Sequence, residues 1–417
     1  MPHFHYYKDE LYCEGIPVKI IAKAVGTPFY LYSYAALVEA YEVFDQSFSD
    51  FSHLVCYSMK ANSTKAILRT FINLGSGIDI VSGGELYRAL TAGVSPERVV
   101  FSGVGKTDEE IGLAIDAGIL VFNVESEQEL FAINKIASIK KTKAPISIRV
   151  NPHIDPKTHP YISTGLEKNK FGISMRHAKE VYQKARGLKN LDVIGIDCHI
   201  GSQITQTGPF VEAAHKLKDL LLELKKDKIN ISYVDIGGGL GITYSNEKPP
   251  TPKQYATGVK QALKDLNCTL ILEPGRVLVG NAGILVAKTI YTKKTPKKYF
   301  IIVDAGMNDL IRPALYDAYQ HIEAVKKTKK MIKADIVGPI CESGDFMAKD
   351  RSVPNFVPGD LVAIKGAGAY GFVMSSNYNS RPRPAEVLVK DDSFEVIRER
   401  EKMEDLSKGE TIPSFLT

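Results

Sequence analysis

Between His53 and Pro274 the chain switches eight times between a short β-branched or apolar run and an amphipathic stretch of helical period. That beat limits its possible folds more than any other feature. The runs are His53–Lys60, Gly77–Ser82, Arg98–Ser102, Ile119–Val124, Pro145–Asn151, Asp192–Ile200, Ile231–Gly237 and Thr269–Pro274. Helical patterns separate them at 64–74, 84–92, 107–117, 126–138, 176–186, 208–226 and 252–266, and another at 34–48 precedes the first run. Thr107-Asp-Glu-Glu110 and Ser126-Glu-Gln-Glu129 carry the signature of a capping box at a helix start. Parallel strands need long crossovers, so strict alternation implies a parallel sheet covered by helices. Eight units match a (β/α)8 TIM-like barrel, which typically takes about 250 residues. An open doubly wound sheet would want a glycine fingerprint after its first strand, and Ala61-Asn62-Ser63-Thr64 stands there instead.

After residue 276 the texture changes. Pro and Gly become frequent and the helical crossovers largely stop. Short runs follow at Ile284–Ile290, Tyr299–Val303, Met331–Val337, Leu361–Ile364 and Ala385–Val389. This predicts a mainly antiparallel β domain, a barrel or sandwich. The first thirty residues read as extended pieces that join it. The expected division is residues 33–275 for the barrel and 1–32 with 276–417 for the β domain.

Composition narrows the function classes. The net charge of +5 over 417 residues is weak and argues neither for nor against a nucleic-acid partner. The Lys pairs at 293–294, 297–298, 326–327 and 329–330 lack the interleaved aromatics of a single-strand platform, so they read as solvated edges and nucleic acid is not expected. No apolar run approaches the about 20 residues of a membrane span, and the N-terminus lacks a secretory apolar stretch. Five Cys (13, 56, 198, 268 and 341) are odd in number, far apart and without a CxxC pair, which argues against disulfides and structural zinc. A cytoplasmic chain with reduced thiols and no metal is expected.

Barrel enzymes carry their chemistry at the C-terminal ends of the strands. Here those ends hold Lys60, Asp79 with Ser82-Gly83-Gly84-Glu85, Arg149-Val150-Asn151, His199-Ile200-Gly201-Ser202, Gly237-Gly238-Gly239, and Glu273-Pro274-Gly275-Arg276. Loops after strands seven and eight commonly bind phosphate through backbone N–H groups, and both are Gly-rich here. A strand-end lysine facing a phosphate site can form a Schiff base. Pyridoxal 5′-phosphate offers an aldehyde for Lys60, a phosphate for Gly237–Gly239 and Gly275-Arg276, and a ring nitrogen for a carboxylate such as Glu273. His199 could lie flat against the ring.

These residues resemble the pyridoxal-phosphate-dependent decarboxylases of the alanine-racemase-like fold (group IV), and among them the diaminopimelate decarboxylases. The resemblance covers nearly the whole chain. It rests on Tyr57-Ser58-Met59-Lys60-Ala61-Asn62, Asp79-Ile80-Val81-Ser82-Gly83-Gly84-Glu85-Leu86, Cys198-His199-Ile200-Gly201-Ser202-Gln203, Asp235-Ile236-Gly237-Gly238-Gly239 and Glu273-Pro274-Gly275-Arg276. It implies that Cys341, in Cys341-Glu342-Ser343-Gly344-Asp345, enters the partner's active site in a homodimer and protonates the substrate carbon. Read without the resemblance, Cys341 is one more small buried hydrophobe. The resemblance further implies that Tyr370 contacts cofactor and substrate, and that the long segment Ile154–Gly172 closes over the site. Arg276 and the stretch Asn308–Tyr316, with Arg312 and Tyr316, would take a distal carboxylate, and Glu342 a distal ammonium. The implied reaction converts the small amino acid meso-2,6-diaminopimelate to L-lysine and carbon dioxide, the last step of lysine biosynthesis. The alternatives are decarboxylation of ornithine, arginine or a carboxylated polyamine, racemisation on the same fold, and a non-catalytic pyridoxal-phosphate-binding protein.

Overall fold

The computed structural model describes residues 3–155, 165 and 169–416. Much of the expected closing segment, 156–164 and 166–168, lies outside the described residues. The chain divides into two compact units, 37–278 and 1–36 with 279–417.

In the first unit eight parallel strands close on themselves. In order they are His53–Ser58, Gly77–Ile80, Val99–Phe101, Val121–Val124, Ala144–Asn151, Leu191–Asp197, Tyr233–Asp235 and Thr269–Leu272. Closure is made by Leu270–Leu272 pairing with His53–Val55 in parallel register. All eight expected runs are strands, so the (β/α)8 barrel is the observed fold. Several end short of their sequence patterns, because at the C-terminal rim the backbone bonds to neighbouring loops. Ser58 N donates to Pro274 O (3.0 Å) and Glu273 N to Gly237 O (2.8 Å).

The helices begin where their caps say. Thr107 and Glu110 form the complete capping box. Ser126 accepts from Glu129 N, but the Glu129 carboxylate turns to Glu125 N and to Lys106 Nζ instead of back to the cap. The longest barrel helix, Gly208–Lys226, buries Phe210, Ala213, Ala214, Leu217, Leu220, Leu221 and Leu224, the stripe expected of a helix lying on a sheet.

The second unit is built on a nine-stranded, mainly antiparallel sheet. Phe29–Ser33, from the N-terminal segment, pairs antiparallel with Gly283–Lys294 and parallel with Ala385–Lys390. All five of its side chains are buried. One stretch that reads as extended is instead a helix, Val18–Val25, with Val18, Ile21 and Ala22 buried at helical spacing. Its β-branched composition hid that period. Strands at Ile322–Ala324, Phe346–Pro354 and Ser393–Arg398 were not expected. Among the described residues no helix is long and apolar enough to cross a membrane.

Candidate active site

The first barrel strand stops at Ser58, and Met59–Ala61 forms a single 3₁₀ turn. Met59 and Ala61 point into the core, which leaves Lys60 as the turn's partly exposed side chain. Its Nζ sits 2.5 Å from Asp79 Oδ2 on the second strand. Ser58 Oγ donates to that same oxygen. Asp79 is wholly buried, and its Oδ1 has no hydrogen-bond partner among the described residues. An anchored amine thus stands at the rim, over a carboxylate with one acceptor oxygen to spare.

Below the rim lies a set of buried carboxylates. Glu273, after the eighth strand, accepts from Ser102 Oγ (3.2 Å) and Asn123 Nδ2 (3.4 Å). Burial, then the charge of Asp79, pushes its carboxyl up to about 7, against the pull of Lys60 and of a hydrogen bond to Asp235. Asp235 is held well above the carboxylate range by burial and by its neighbours Glu273 and Asp197. Arg149 Nη1 meets Glu125 Oε1 at 2.6 Å, and its Nε lies 3.8 Å from Asp197 Oδ2. Five buried acids therefore share few cations, the condition under which protons are retained on carboxyl groups.

The glycine triplet follows the seventh strand after one residue, Ile236. A Cβ on Gly237 would lie 2.5 Å from His199 Nδ1, one on Gly238 2.0 Å from the Glu273 carbonyl oxygen, and one on Gly239 2.3 Å from that of Gly201. Only glycine lets the loop pass this close to strands six and eight. Gly238 N donates to His199 Nδ1 (3.1 Å). His199 is consequently an acceptor at Nδ1, and burial, then Arg149 and Lys60, hold its pKa well below the usual value. The imidazole is neutral. Arg276, buried after the eighth strand, donates to Ser202 Oγ (3.1 Å) and Tyr244 Oη (2.7 Å). A Cβ on Gly275 would crowd Ser58 and Ala61 at 3.1 Å.

Lys60, Asp79, His199, Ser202, Gly237–Gly239, Glu273, Gly275 and Arg276 are thus gathered at the C-terminal rim of one barrel. The donor set fits pyridoxal phosphate: an amine for its aldehyde, a buried carboxylate for its ring nitrogen, a neutral flat ring, and a glycine loop with a guanidinium for its phosphate. Ser102, Asn123 and Asp235 were not among the expected site residues. Ser102 follows the third strand and Asn123 ends no motif, but the strand-end rule that selected the others would have found both.

In the second unit the Cys341 segment is held from behind. Asp345, 4% exposed, accepts from Met307 N and Ile340 N, both at 2.6 Å. Cys341 N donates to Asn379 Oδ1 (2.7 Å), and Tyr378 bonds Glu342. Cys341 and Glu342 are both exposed. This corrects the reading of Cys341 as a buried hydrophobe, which does hold for Cys13, Cys56 and Cys198. Asp345 spans two loops, so the Cys341 segment and the one carrying Arg312 are fixed together. Arg312 is buried at the start of the short helix Arg312–Tyr316 and Tyr316 half-buried at its end. Asp309 just before it, raised to about 7 by burial, accepts from Gly306 N (2.9 Å). Tyr370 adopts a positive φ of 54°, which is strained for an aromatic residue.

Residues 34–280 match the family model described as pyridoxal-dependent decarboxylase, pyridoxal binding domain. The chain is 50% identical over 402 residues to the diaminopimelate decarboxylase of Aquifex aeolicus, covering 96% of this chain and 95% of that one. It is 49% identical over 415 residues to the diaminopimelate decarboxylase of Vibrio cholerae, covering 99% of each. The crystal structure of diaminopimelate decarboxylase from Helicobacter pylori complexed with L-lysine aligns with a TM-score of 0.91 at 44% identity, covering 94% of this chain and 98% of that one.

Proposed function

The chain belongs to the pyridoxal-dependent decarboxylases, among the diaminopimelate decarboxylases, and we propose that it removes carbon dioxide from meso-2,6-diaminopimelate to leave L-lysine. One observation carries the reading from the residues up. The Lys60 amine, the buried Glu273 carboxyl and the Gly237–Gly239 loop share one barrel rim, and each answers a different group of a single cofactor.

Bound there, pyridoxal phosphate supplies an aldehyde for an amine and a ring that takes up the electron pair released as the carbon–carboxylate bond breaks. The protein does the rest by placement. Asp79 holds the Lys60 Nζ in position, where that amine would hold the cofactor through its aldehyde. Glu273, as a carboxylate, holds a proton at the ring nitrogen, and Ser102 and Asn123 fix its orientation. His199, neutral and tied at Nδ1 to Gly238, offers a flat face without adding a charge. The Gly239 and Gly275 amides and Ser202 would bind phosphate, in a loop whose shape is set by the bonds from Gly237 N to Asp235 and from Gly238 N to His199. Arg276 is shared between that group and the substrate.

Cys341 returns a proton to the carbon vacated by carbon dioxide, and its exposed position on a braced segment supports that role. Arg312 and Tyr316 take the distal carboxylate, Glu342 the distal ammonium, and Tyr370 contacts cofactor and substrate. Cys341 serves the neighbouring subunit of a homodimer, and the enzyme works in the cytoplasm. The test has two parts. Borohydride reduction followed by peptide mapping should place the cofactor on Lys60, and chiral analysis should find L-lysine with one carbon dioxide released per substrate. A label on another residue, or a racemised product that keeps its carboxylate, would overturn the assignment.

A further inference from the structure

Asp235 lies beneath the site, 1% exposed, and is given no part in the chemistry above. Its Oδ1 accepts from Gly237 N at 2.8 Å, the first amide of the glycine loop. Its Oδ2 lies 3.2 Å from Asn123 Nδ2, and the same nitrogen lies 3.4 Å from Glu273 Oε1. Asp235 and Glu273 also share a hydrogen bond with each other. Two carboxylate oxygens in that contact need a proton between them, because acceptors alone repel.

The surroundings decide where the proton sits. Cys56 from the first strand, Asn123 from the fourth, Asp197 from the sixth, Glu273 from the eighth and Tyr255 from the helix Pro252–Leu263 face Asp235, and none of these is a cation. Arg149 is committed to Glu125 and Asp197. Lys60 acts on Glu273 from the rim side and favours its ionised form. The pair therefore holds its proton on the deeper member.

We propose that Asp235 is a neutral carboxylic acid that positions Glu273: its hydroxyl donates to the Glu273 carboxylate while its carbonyl oxygen holds Gly237 N. One side chain then ties the ring-nitrogen partner to the phosphate loop. With Ser102 and Asn123 it gives Glu273 three donors, which favour the ionised carboxylate against its burial and so favour a proton on the ring nitrogen. The proposal rests on the site taking pyridoxal phosphate, but the proton on Asp235 can be read without it.

The test uses Asp235→Asn, which keeps a donor and an acceptor in the same shape, and Asp235→Ala, which keeps neither. On cofactor-free protein labelled with ¹³C-aspartate, infrared difference spectra should show one protonated-carboxyl band in the wild type that is absent from D235N. With ¹⁵N-labelled pyridoxal phosphate, D235N should keep a protonated ring nitrogen and near wild-type affinity. D235A should shift that resonance toward neutral pyridine and weaken cofactor binding by at least about tenfold, the cost of two lost bonds to buried groups. A band unchanged in D235N, or a D235A protein that binds cofactor with the wild-type affinity and resonance, overturns the proposal. If D235A does not fold, the D235N infrared difference alone decides. Failure of the parent reading looks different, because the wild type itself would then not bind pyridoxal phosphate.

Discussion

Replacing Gly238 by alanine puts a methyl group 2.0 Å from the Glu273 carbonyl oxygen and 2.9 Å from its carbonyl carbon. Both are backbone atoms of the strand end that carries the buried Glu273 carboxyl, so no side chain can swing aside. Restoring an ordinary contact of 3.4 Å requires the loop or the strand end to retreat by about 1.4 Å. Overpacking of this kind costs about 1–3 kcal/mol in stability. The retreat also stretches the 3.1 Å bond from Gly238 N to His199 Nδ1. A hydrogen bond lost there and misplaced loop amides together remove about 1.5–3 kcal/mol of cofactor binding, or roughly ten- to a hundredfold in dissociation constant. The assay is a titration of cofactor-free protein with pyridoxal phosphate, followed by the visible absorption of the bound form, beside thermal unfolding. Gly118→Ala is the control. Gly118, unlike Gly238, has a positive φ (73°), and a Cβ there meets nothing within 4 Å. It should cost about 1 kcal/mol of stability and leave the affinity unchanged. A Gly238→Ala protein that binds cofactor like the wild type would refute the loop's role as the phosphate cradle.

Other outcomes follow from the same geometry. Glu273→Gln should lower turnover by about 10²-fold or more, because a neutral amide cannot hold a full charge at the ring nitrogen. It should also flatten the pH profile of cofactor-free stability. With its carboxyl raised from 4.5 to about 7, the folded chain keeps a proton there that the unfolded chain has lost, so the Glu273 contribution to stability falls as pH rises between those values and is lost above; calorimetry across that window should show a fall in the wild type and a weaker one in the variant. Cys341→Ala should reduce turnover by about 10²–10⁴-fold while the coloured cofactor stays bound, measured by steady-state rates beside absorption spectra. Mixing inactive Lys60→Ala and Cys341→Ala chains should restore part of the activity in mixed dimers, and no recovery despite proven subunit exchange would count against a shared site.

Much of the barrel was legible because its signal is local and repeated. Each strand is a short apolar run, each crossover an amphipathic helix, and Thr107 with Glu110 announces its own helix start. The strand-end rule then selected Lys60, His199 and Glu273 without any contact information. Other features depend on contacts that sequence spacing does not carry. The strand Phe346–Pro354 is interrupted by the consecutive charges Lys349, Asp350 and Arg351 and has only a few buried apolar residues, Met347, Ala348 and Val353, so it reads as a loop. Half of the helix Val18–Val25 is β-branched Val and Ile, which favour strands, and its buried stripe of Val18, Ile21 and Ala22 packs in the β unit. Asn123 joins Asp235 to Glu273 across separations of 112 and 150 residues, a link that exists only once the barrel closes. Cys341 shows the reverse. A role for it was implied by the motif, but its exposure was not legible.

The measurement that bears most directly on the proposed activity is carbon dioxide release from a panel of meso-2,6-diaminopimelate, ornithine, arginine and a carboxylated polyamine, each compared by kcat/KM with pyridoxal phosphate present. The proposed role of the buried Arg312 in taking the distal carboxylate predicts that meso-2,6-diaminopimelate leads the panel by at least about 10²-fold, since a buried guanidinium left without its carboxylate is costly. Equal or faster release from any substrate lacking the distal carboxylate would contradict it.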